Sequence, residues 1–508
     1  MRVYFPQSII MIAAIHNMLL SNNLNIEFLT TQLAITQNFF DMKTTVLFSL
    51  LLMGLFGLGA AYPQQNASKD KQMLRKMYDF HLGNDQSYEN LRYLSTQIGG
   101  RLSGSPQAAA AVEWARQTLE QLNLDTVYLQ PVMVPYWVRG TAEEARIVSG
   151  FYGTQAVNVC ALGGSIATPA WGLSAQVIEI KHLADLDKLD KKAVQGKIVF
   201  LNQPMDDLEH DTFDAYSHCS GNRYKGAPAA ARLGAVAFVI RSLTTAIDEF
   251  PHTGGMAYEE GTTRIPAVAI ATRDAELLSG ILSQDPALRL YLRTSCQNLP
   301  DALSYNVIGE LRGSQKPEEI VMVGGHLDAW DNGQGAHDDG AGVVQSIDVM
   351  RCFKALNLRP KHTLRCVLFM NEENGARGAR EYARLARDRN EKHQLALESD
   401  RGAFVPRGFS LDHTDSLLLP QRVARLNSWS PLFEPYQVHL FKSGFSGVDV
   451  NFLKDNGDML SGYIPDSQRY FDYHHTANDT FDKINRRELS LGSATMAALA
   501  YLVDEHGW

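Results

Sequence analysis

The 508-residue chain carries 47 Lys and Arg against 56 Asp and Glu, a net charge of −9, with 45% apolar and 20% charged residues. That balance is ordinary for a globular protein with core enough for two domains. It argues against nucleic acid or an anionic membrane surface as a partner, because either would select a basic face.

The first 61 residues stand apart. Met42-Lys43 gives a charged start, Val46 to Leu58 an apolar run, and Gly59-Ala60-Ala61 a small-residue end. This pattern is too short to span a bilayer and reads as a secretory signal cut near Ala61. Residues 1–41 are read as an upstream extension. Removal of 1–61 takes away Arg2 and Lys43 together with Glu27 and Asp41, so the exported chain keeps its charge and is expected to be free of the membrane. Five cysteines are few for an exported protein, and an odd number leaves one unpaired. Cys160 with Cys219 is a candidate bridge that the sequence leaves open, whereas Cys352 and Cys366 read as buried thiols.

From Asp70 to Leu122 the pattern is helical, broken by the loop Ile98 to Pro106, whose proline suits the start of a helix. Strand-like segments follow at 127–138 and 145–148. From Cys160 to about Leu290 come short apolar runs at 175–180, 197–201, 235–240 and 267–270, with helical pieces at 226–233 and 273–282. This is expected to be a compact β-rich unit that supplies no catalytic group. From Leu303 onward strand and helix alternate, the signature of an α/β sheet. The expected division is therefore a catalytic domain in two parts, 62–155 and 296–508, separated by an insert at 156–295.

The chemistry concentrates in the second part. Ile320 to Val323 reads as a buried strand, followed by glycines, His326, Asp328 and the pair Asp338-Asp339 ahead of a helix at 340–356. The apolar run His362 to Met370 leads to Glu372-Glu373, the short strand 395–398 leads to Asp400, and His474-His475 lies in a loop before the closing helix. Loops at the carboxyl ends of such strands converge on one crevice. The kit suits two zinc ions: His326 and Asp400 on one, Glu373 and His475 on the other, Asp338 bridging. Glu372, next to a ligand, is placed as the base toward metal-activated water, and Asp328 as acceptor for the second N–H of His326.

These motifs carry a resemblance. GHLDAWDNGQGAHDDGAG at 325–342, ESD at 398–400, YHHTANDT at 473–480 and GGRLSGSP at 99–106 are similar to the co-catalytic zinc aminopeptidase and carboxypeptidase family. QGKIVFL, RLGAVAFVI and RIPAVAI in the insert resemble a protease-associated domain. The resemblance implies a mixed sheet flanked by helices, two zinc ions per chain, hydrolysis of peptide bonds near a free terminus, and a possible homodimer. Two departures are Asn371 before the glutamate pair and Val448 in the loop GFSGVD, whose Asp449 is a candidate for holding a substrate ammonium. The expectation is an exported di-zinc exopeptidase acting on dipeptides or short peptides. The rivals are an aminopeptidase for longer peptides, a single-zinc acyltransferase like glutaminyl cyclase, and a non-catalytic receptor on the same scaffold.

Overall fold

The computed structural model describes residues 64–508. The expected signal and upstream extension lie outside the described residues. Helices α1 (Gln64–Leu82), α2 (Gln86–Tyr93) and α3 (Pro106–Gln121) lead to a long strand β1 (Thr126–Val138). Helix α3 starts as its sequence predicts: Ser105 Oγ accepts the N–H of Ala108 at 3.0 Å and Pro106 occupies the first turn.

The chain then builds a separate sheet from β2 (Glu143–Ser149), β3 (Gly153–Val157), β4 (Val159–Ala161), β5 (Leu173–Ile180), β6 (Ile198–Leu201), β7 (Ala237–Arg241), β8 (Ala267–Ile270) and β9 (Arg289–Thr294). Its order is β3-β2-β9-β5-β6-β7-β8-β4, with β5 to β8 parallel. Helices α4 (Thr212–Arg232) and α5 (Thr272–Gln284) cover opposite faces. Val199, Leu201, Phe238 and Ile240 pack with Ala215, Cys219 and Ala227 of α4; Ile198, Phe200 and Val239 pack with Ala275, Leu278 and Ile281 of α5. Sheet membership changes between Val138 and Glu143, ahead of the boundary read at residue 156, so β2 and β3 join this sheet. Cys160 and Cys219 are both buried free thiols in the α4-side core, so the candidate bridge is not formed; Cys296, Cys352 and Cys366 are buried free thiols elsewhere.

The chain returns through β10 (Gln297–Leu311), β11 (Lys316–His326), α6 (Ala341–Ala355), β12 (His362–Phe369), α7 (Arg377–Asp388), β13 (Lys392–Glu398), β14 (Pro406–Asp412), α8 (Leu418–Ser428), β15 (Leu440–Ser443), β16 (Leu460–Pro465) and α9 (Arg486–His506). These strands and β1 form a mixed sheet in the order β1-β10-β12-β11-β13-β16-β14-β15. Alternation sorts its faces: Ile308, Met322, Val367, Phe369 and Ala396 pack with Ala379, Tyr382 and Ala383 of α7. The opposite face carries Gly309 against Leu119 of α3, and Gly325 against Gly342 of α6. A Cβ on Gly342 would fall 1.9 Å from the carbonyl oxygen of Ser399, so the helix needs glycine to sit this close. Strands β12, β11, β13 and β16 are mutually parallel, which brings their carboxyl ends to one edge. Among the described residues no helix is long and apolar enough to cross a membrane.

Candidate metal centre

His326 ends β11 and is almost fully buried. Its backbone N–H donates to Asp339 Oδ2 at 3.0 Å, while its Nδ1 lies 3.0 Å from the carbonyl oxygen of Asp328. The imidazole is thus fixed from behind, with Nε2 pointing at Asp338 Oδ1 (3.2 Å) and Asp400 Oδ1 (3.4 Å). The partner expected for Nδ1 was the Asp328 carboxylate, yet that group stands 3.8 Å away. It is drawn off by the backbone N–H groups of Asn371 and Glu372, which it accepts at 2.8 and 3.0 Å. Asp328 therefore serves both sides: its carbonyl holds the histidine, and its carboxylate holds the turn that carries the glutamate pair.

Asp338 faces His326 with one oxygen and His475 with the other, the second contact being 3.3 Å from His475 Nε2. Asp338 Oδ2 is buried and has no hydrogen-bond donor. Its backbone N–H and that of His337 both donate to the Asp479 carboxylate, at 3.1 and 2.8 Å. Glu373 Oε2 lies 3.1 Å from His475 Nε2, and its Oε1 accepts the N–H of Trp330 at 3.2 Å. His475 is held by the second-sheet region: Nδ1 lies 3.2 Å from the Thr253 carbonyl, and the Thr253 N–H donates to the His475 carbonyl at 3.0 Å. This pairing supports a left-handed φ of 63° at His475, a conformation a non-glycine residue adopts at a cost.

The five residues read from sequence as ligands thus meet at one place. Their geometry falls into two groups whose ligand atoms lie within 4.8 Å of one another: His326, Asp338 and Asp400, and Asp338, His474 and His475. His474 was passed over in the sequence. Its ring stacks on His475 at 3.5 Å, and its Nε2 is 3.8 Å from Asp338 Oδ2, longer than the Glu373 contact to His475. The doubled histidine in YHHT was the available signal.

Arg101, from the GGRLSGSP loop, is fully buried beneath the metal loop. It donates to the carbonyls of Leu327 (2.6 Å), Gln334 (3.1 Å) and Gly335 (3.1 Å), which bracket the segment between His326 and Asp338. Arg101→Met removes the donors of the Leu327 and Gln334 carbonyls, while the Gly335 carbonyl keeps the N–H of Gly340. The change is expected to destabilise the chain by about 3 kcal/mol in urea unfolding.

Asp449 is buried at 1% exposure with neither carboxylate oxygen hydrogen-bonded, and the cleft wall at this point is Gly447 and Val448. Asp449 itself does not line the cleft.

Electrostatics fit a cation. Burial above all, then the nearby carboxylates of Asp400 and Asp338 working against His326, holds Glu372 well above the carboxylate range. Burial and Asp338 do the same to Glu373. Burial depresses His326, but Asp400 and Asp338 outweigh it and raise the imidazole well above its usual value. Burial lowers His474 to about 3 and drives His475 well down, so both present neutral nitrogens. A buried excess of carboxylate beside neutral imidazoles is costly alone and is the donor set that divalent metals take. A cleft of about 1020 Å³ opens onto Asp338, Glu372, Glu373, Asp400 and His475.

The model of Peptidase family M28 matches residues 306–500. Carboxypeptidase Q of Homo sapiens is 34% identical over 421 residues, covering 83% of this chain and 86% of that protein. The chain belongs to peptidase family M28. Carboxypeptidase Q of Xenopus laevis is 36% identical over the same shares. Among solved structures, an M28 peptidase precursor from Shewanella amazonensis is 38% identical with a TM-score of 0.80, covering 86% of this chain and 97% of that one. A zinc aminopeptidase from Bacillus subtilis shares the fold at a TM-score of 0.56 and 19% identity, covering 81% of this chain and 93% of that chain. The M28 chain described here is a metallo-exopeptidase that acts on peptides.

Proposed function

We propose that this M28 peptidase is an exported di-zinc enzyme that hydrolyses dipeptides or short peptides. One observation carries the two-metal reading: Asp338 turns one oxygen to His326 and the other to His475, and each histidine has a second carboxylate of its own, Asp400 or Glu373. His326, Asp400 and Asp338 would hold one ion; His475, Glu373 and Asp338 the other. Bound there, zinc supplies Lewis acidity that lowers the pKa of water and polarises a peptide carbonyl.

The remaining roles belong to the chain. Glu372 lines the cleft beside Glu373, fixed at its backbone by Asp328, and its carboxylate takes the proton of the attacking water and delivers it to the leaving amine. Thr253, Asp328 and Asp479 orient His475, His326 and Asp338 respectively. The β-rich second sheet, which resembles a protease-associated domain, closes one side of the cleft through α4 and supplies no ligand. Export rests on the Met42 to Ala61 pattern.

The test joins metal analysis with a panel of dipeptides and aminoacyl amides. Two zinc ions per chain with dipeptide turnover support the reading; cyclised products, or one ion, overturn it. Asp479→Asn keeps the size of the side chain but weakens its acceptors for the Asp338 backbone. It is expected to lower zinc affinity about 10–100-fold in chelator competition while the fold persists.

A further inference from the structure

Arg139 lies where the chain leaves the mixed sheet for the second one, between Val138 of β1 and Glu143 of β2, and is buried. All three of its guanidinium nitrogens are engaged. Nε and Nη2 donate to Asp331 Oδ1 at 3.0 and 2.6 Å. Nη1 donates to the Ala161 carbonyl at 2.7 Å and to Glu143 Oε1 at 3.1 Å, and Nη2 reaches Thr253 Oγ1 at 3.4 Å. Thr253 Oγ1 donates in turn to the Ala161 carbonyl at 2.7 Å. One side chain thus ties the metal loop, through Asp331, to three residues of the second-sheet region.

Both sides of this seam touch the same two ligands. On the loop side Asp331 sits between Trp330, whose N–H goes to Glu373, and Asn332, whose Nδ2 donates to the His475 carbonyl at 3.2 Å. On the second-sheet side Thr253 holds the His475 ring, and a Cβ on Gly255 would fall 3.1 Å from the Glu373 carbonyl oxygen. The Trp330 indole fills the space between, packed with Trp137 and Ala161 and meeting the His475 ring edge-on at 5.7 Å. His326 and Asp400 are held differently. The His326 ring rests on the Asp328 carbonyl, and the Asp400 carboxylate accepts the Tyr470 hydroxyl at 3.5 Å. Among the described residues neither side chain has a hydrogen bond to residues 143–294.

We infer that Arg139 is a positioning residue for one metal position alone: it locks the second sheet to the metal loop around His475 and Glu373, and leaves the His326–Asp400 position independent of that seam. The inference rests on the two-metal reading above and makes the two positions unequal. Groups that orient a ligand from behind are worth about 10–100-fold in metal affinity, and here those of His475 come from both sides of the seam. Arg fits the place because its planar fork serves a carboxylate and a carbonyl at once. Asp331 and Glu143 are 28% and 22% exposed, so water replaces the guanidinium when it is removed, and its loss loosens the seam without stranding a buried charge.

The experiment titrates metal-free protein with zinc alone in a calorimeter and measures zinc content after dialysis against chelator. It uses the native chain, Arg139→Met, Asp331→Asn and Arg365→Met, with melting temperatures recorded for each. The native chain is expected to take up two ions. Arg139→Met weakens one of them about 10–100-fold and leaves the other at its native affinity. Asp331→Asn weakens the same ion by less. Arg365→Met removes a buried arginine paired with Glu310 and Glu391, and is expected to lower the melting temperature without making the ions unequal. In a His475→Ala background, Arg139→Met should have no further effect on the ion that remains. Equal weakening of both ions, weakening of neither, or a further loss in the His475→Ala background overturns the inference. If the native chain takes up one ion, the two-metal reading is what has failed. Weakening of that ion by Arg139→Met and not by Arg365→Met then upholds the positioning role, and unchanged affinity rejects it.

Discussion

Glu372→Gln is expected to leave zinc content and melting temperature unchanged while lowering kcat on a good dipeptide by about 10²–10⁴-fold, the range for loss of a general base. The two glutamates leave β12 on one turn yet face different groups. Glu373 is spent on His475 and on the N–H of Trp330, whereas no hydrogen bond holds the Glu372 carboxylate, which is half-buried at the cleft floor. The turn itself hangs on Asp328, which accepts the N–H groups of residues 371 and 372 and does not touch either glutamate side chain. Glutamine keeps the length and hydrogen-bonding capacity of Glu372 and removes only the proton acceptor. Glu373→Gln should do the reverse, losing zinc first and activity as a consequence. Plasma emission on the two purified variants, paired with kcat, separates the roles. Full activity in Glu372→Gln, or a chain stripped of zinc by that change, would mean the assignments are exchanged.

How much of this was legible in the sequence depended on how strongly each stretch obeys one period. Strand β8, the Ile320 to Val323 stretch of β11 and the largely apolar β12 occur where the pattern puts them, although β11 begins earlier, at the polar Lys316. Helix α4 was readable only from residue 226, because TFDAYSHCSGNRYKG is rich in weak helix formers; packing on the sheet, with Gly226 pressed against the Phe238 ring, carries the rest. Strands β14, β15 and β16 escaped notice altogether. PRGFSLD, LFKS and LSGYIP are short and broken by Gly, Ser and Pro, and only pairing with neighbours makes them strands.

The centre followed the same logic. His326, Asp338, Glu372, Glu373 and Asp400 were visible because chain order and strand ends predict convergence. Their support was less visible, since the groups that orient them come from remote segments: Arg101 from an early loop, Thr253 from the second sheet, Asp479 from beyond His475. Asp328 illustrates the limit, because spacing placed it beside His326 but gave no sign that its carbonyl rather than its carboxylate would face the ring.

Stripping the metal is expected to cost the most stability and to make what remains depend on pH. A ligand bound only to the native chain contributes about 4 kcal/mol per site at 1,000-fold excess over its Kd, so emptying the two proposed sites should lower the melting temperature well outside experimental error. The metal-free centre is then left with carboxyls whose folded pKa values are raised. Burial chiefly, with neighbouring acids, lifts Asp339, Glu372 and Glu373 well above the usual range, and lifts Glu398 and Asp479 to about 7. A group raised in this way holds its proton in the native state after the unfolded chain has released it, so its contribution is present at low pH and lost as pH rises through the folded value. His326, raised by Asp400 and Asp338 against its burial, acts in the same direction. The buried imidazoles of His474, near 3, and His475, well below its usual value, act oppositely, but only up to about pH 6.5, where the unfolded histidine has lost its proton. Above that point nothing in the centre offsets the carboxyls. Chelator-treated protein should therefore melt at progressively lower temperature from about pH 6.5 to 8.5, while the zinc-loaded chain, in which the cations offset the charge of ligand and neighbouring carboxylates alike, should be nearly flat over the same interval. Scanning calorimetry on both forms across that range measures the difference directly. Parallel pH profiles with and without zinc would show that the buried carboxylates are not what the metal neutralises.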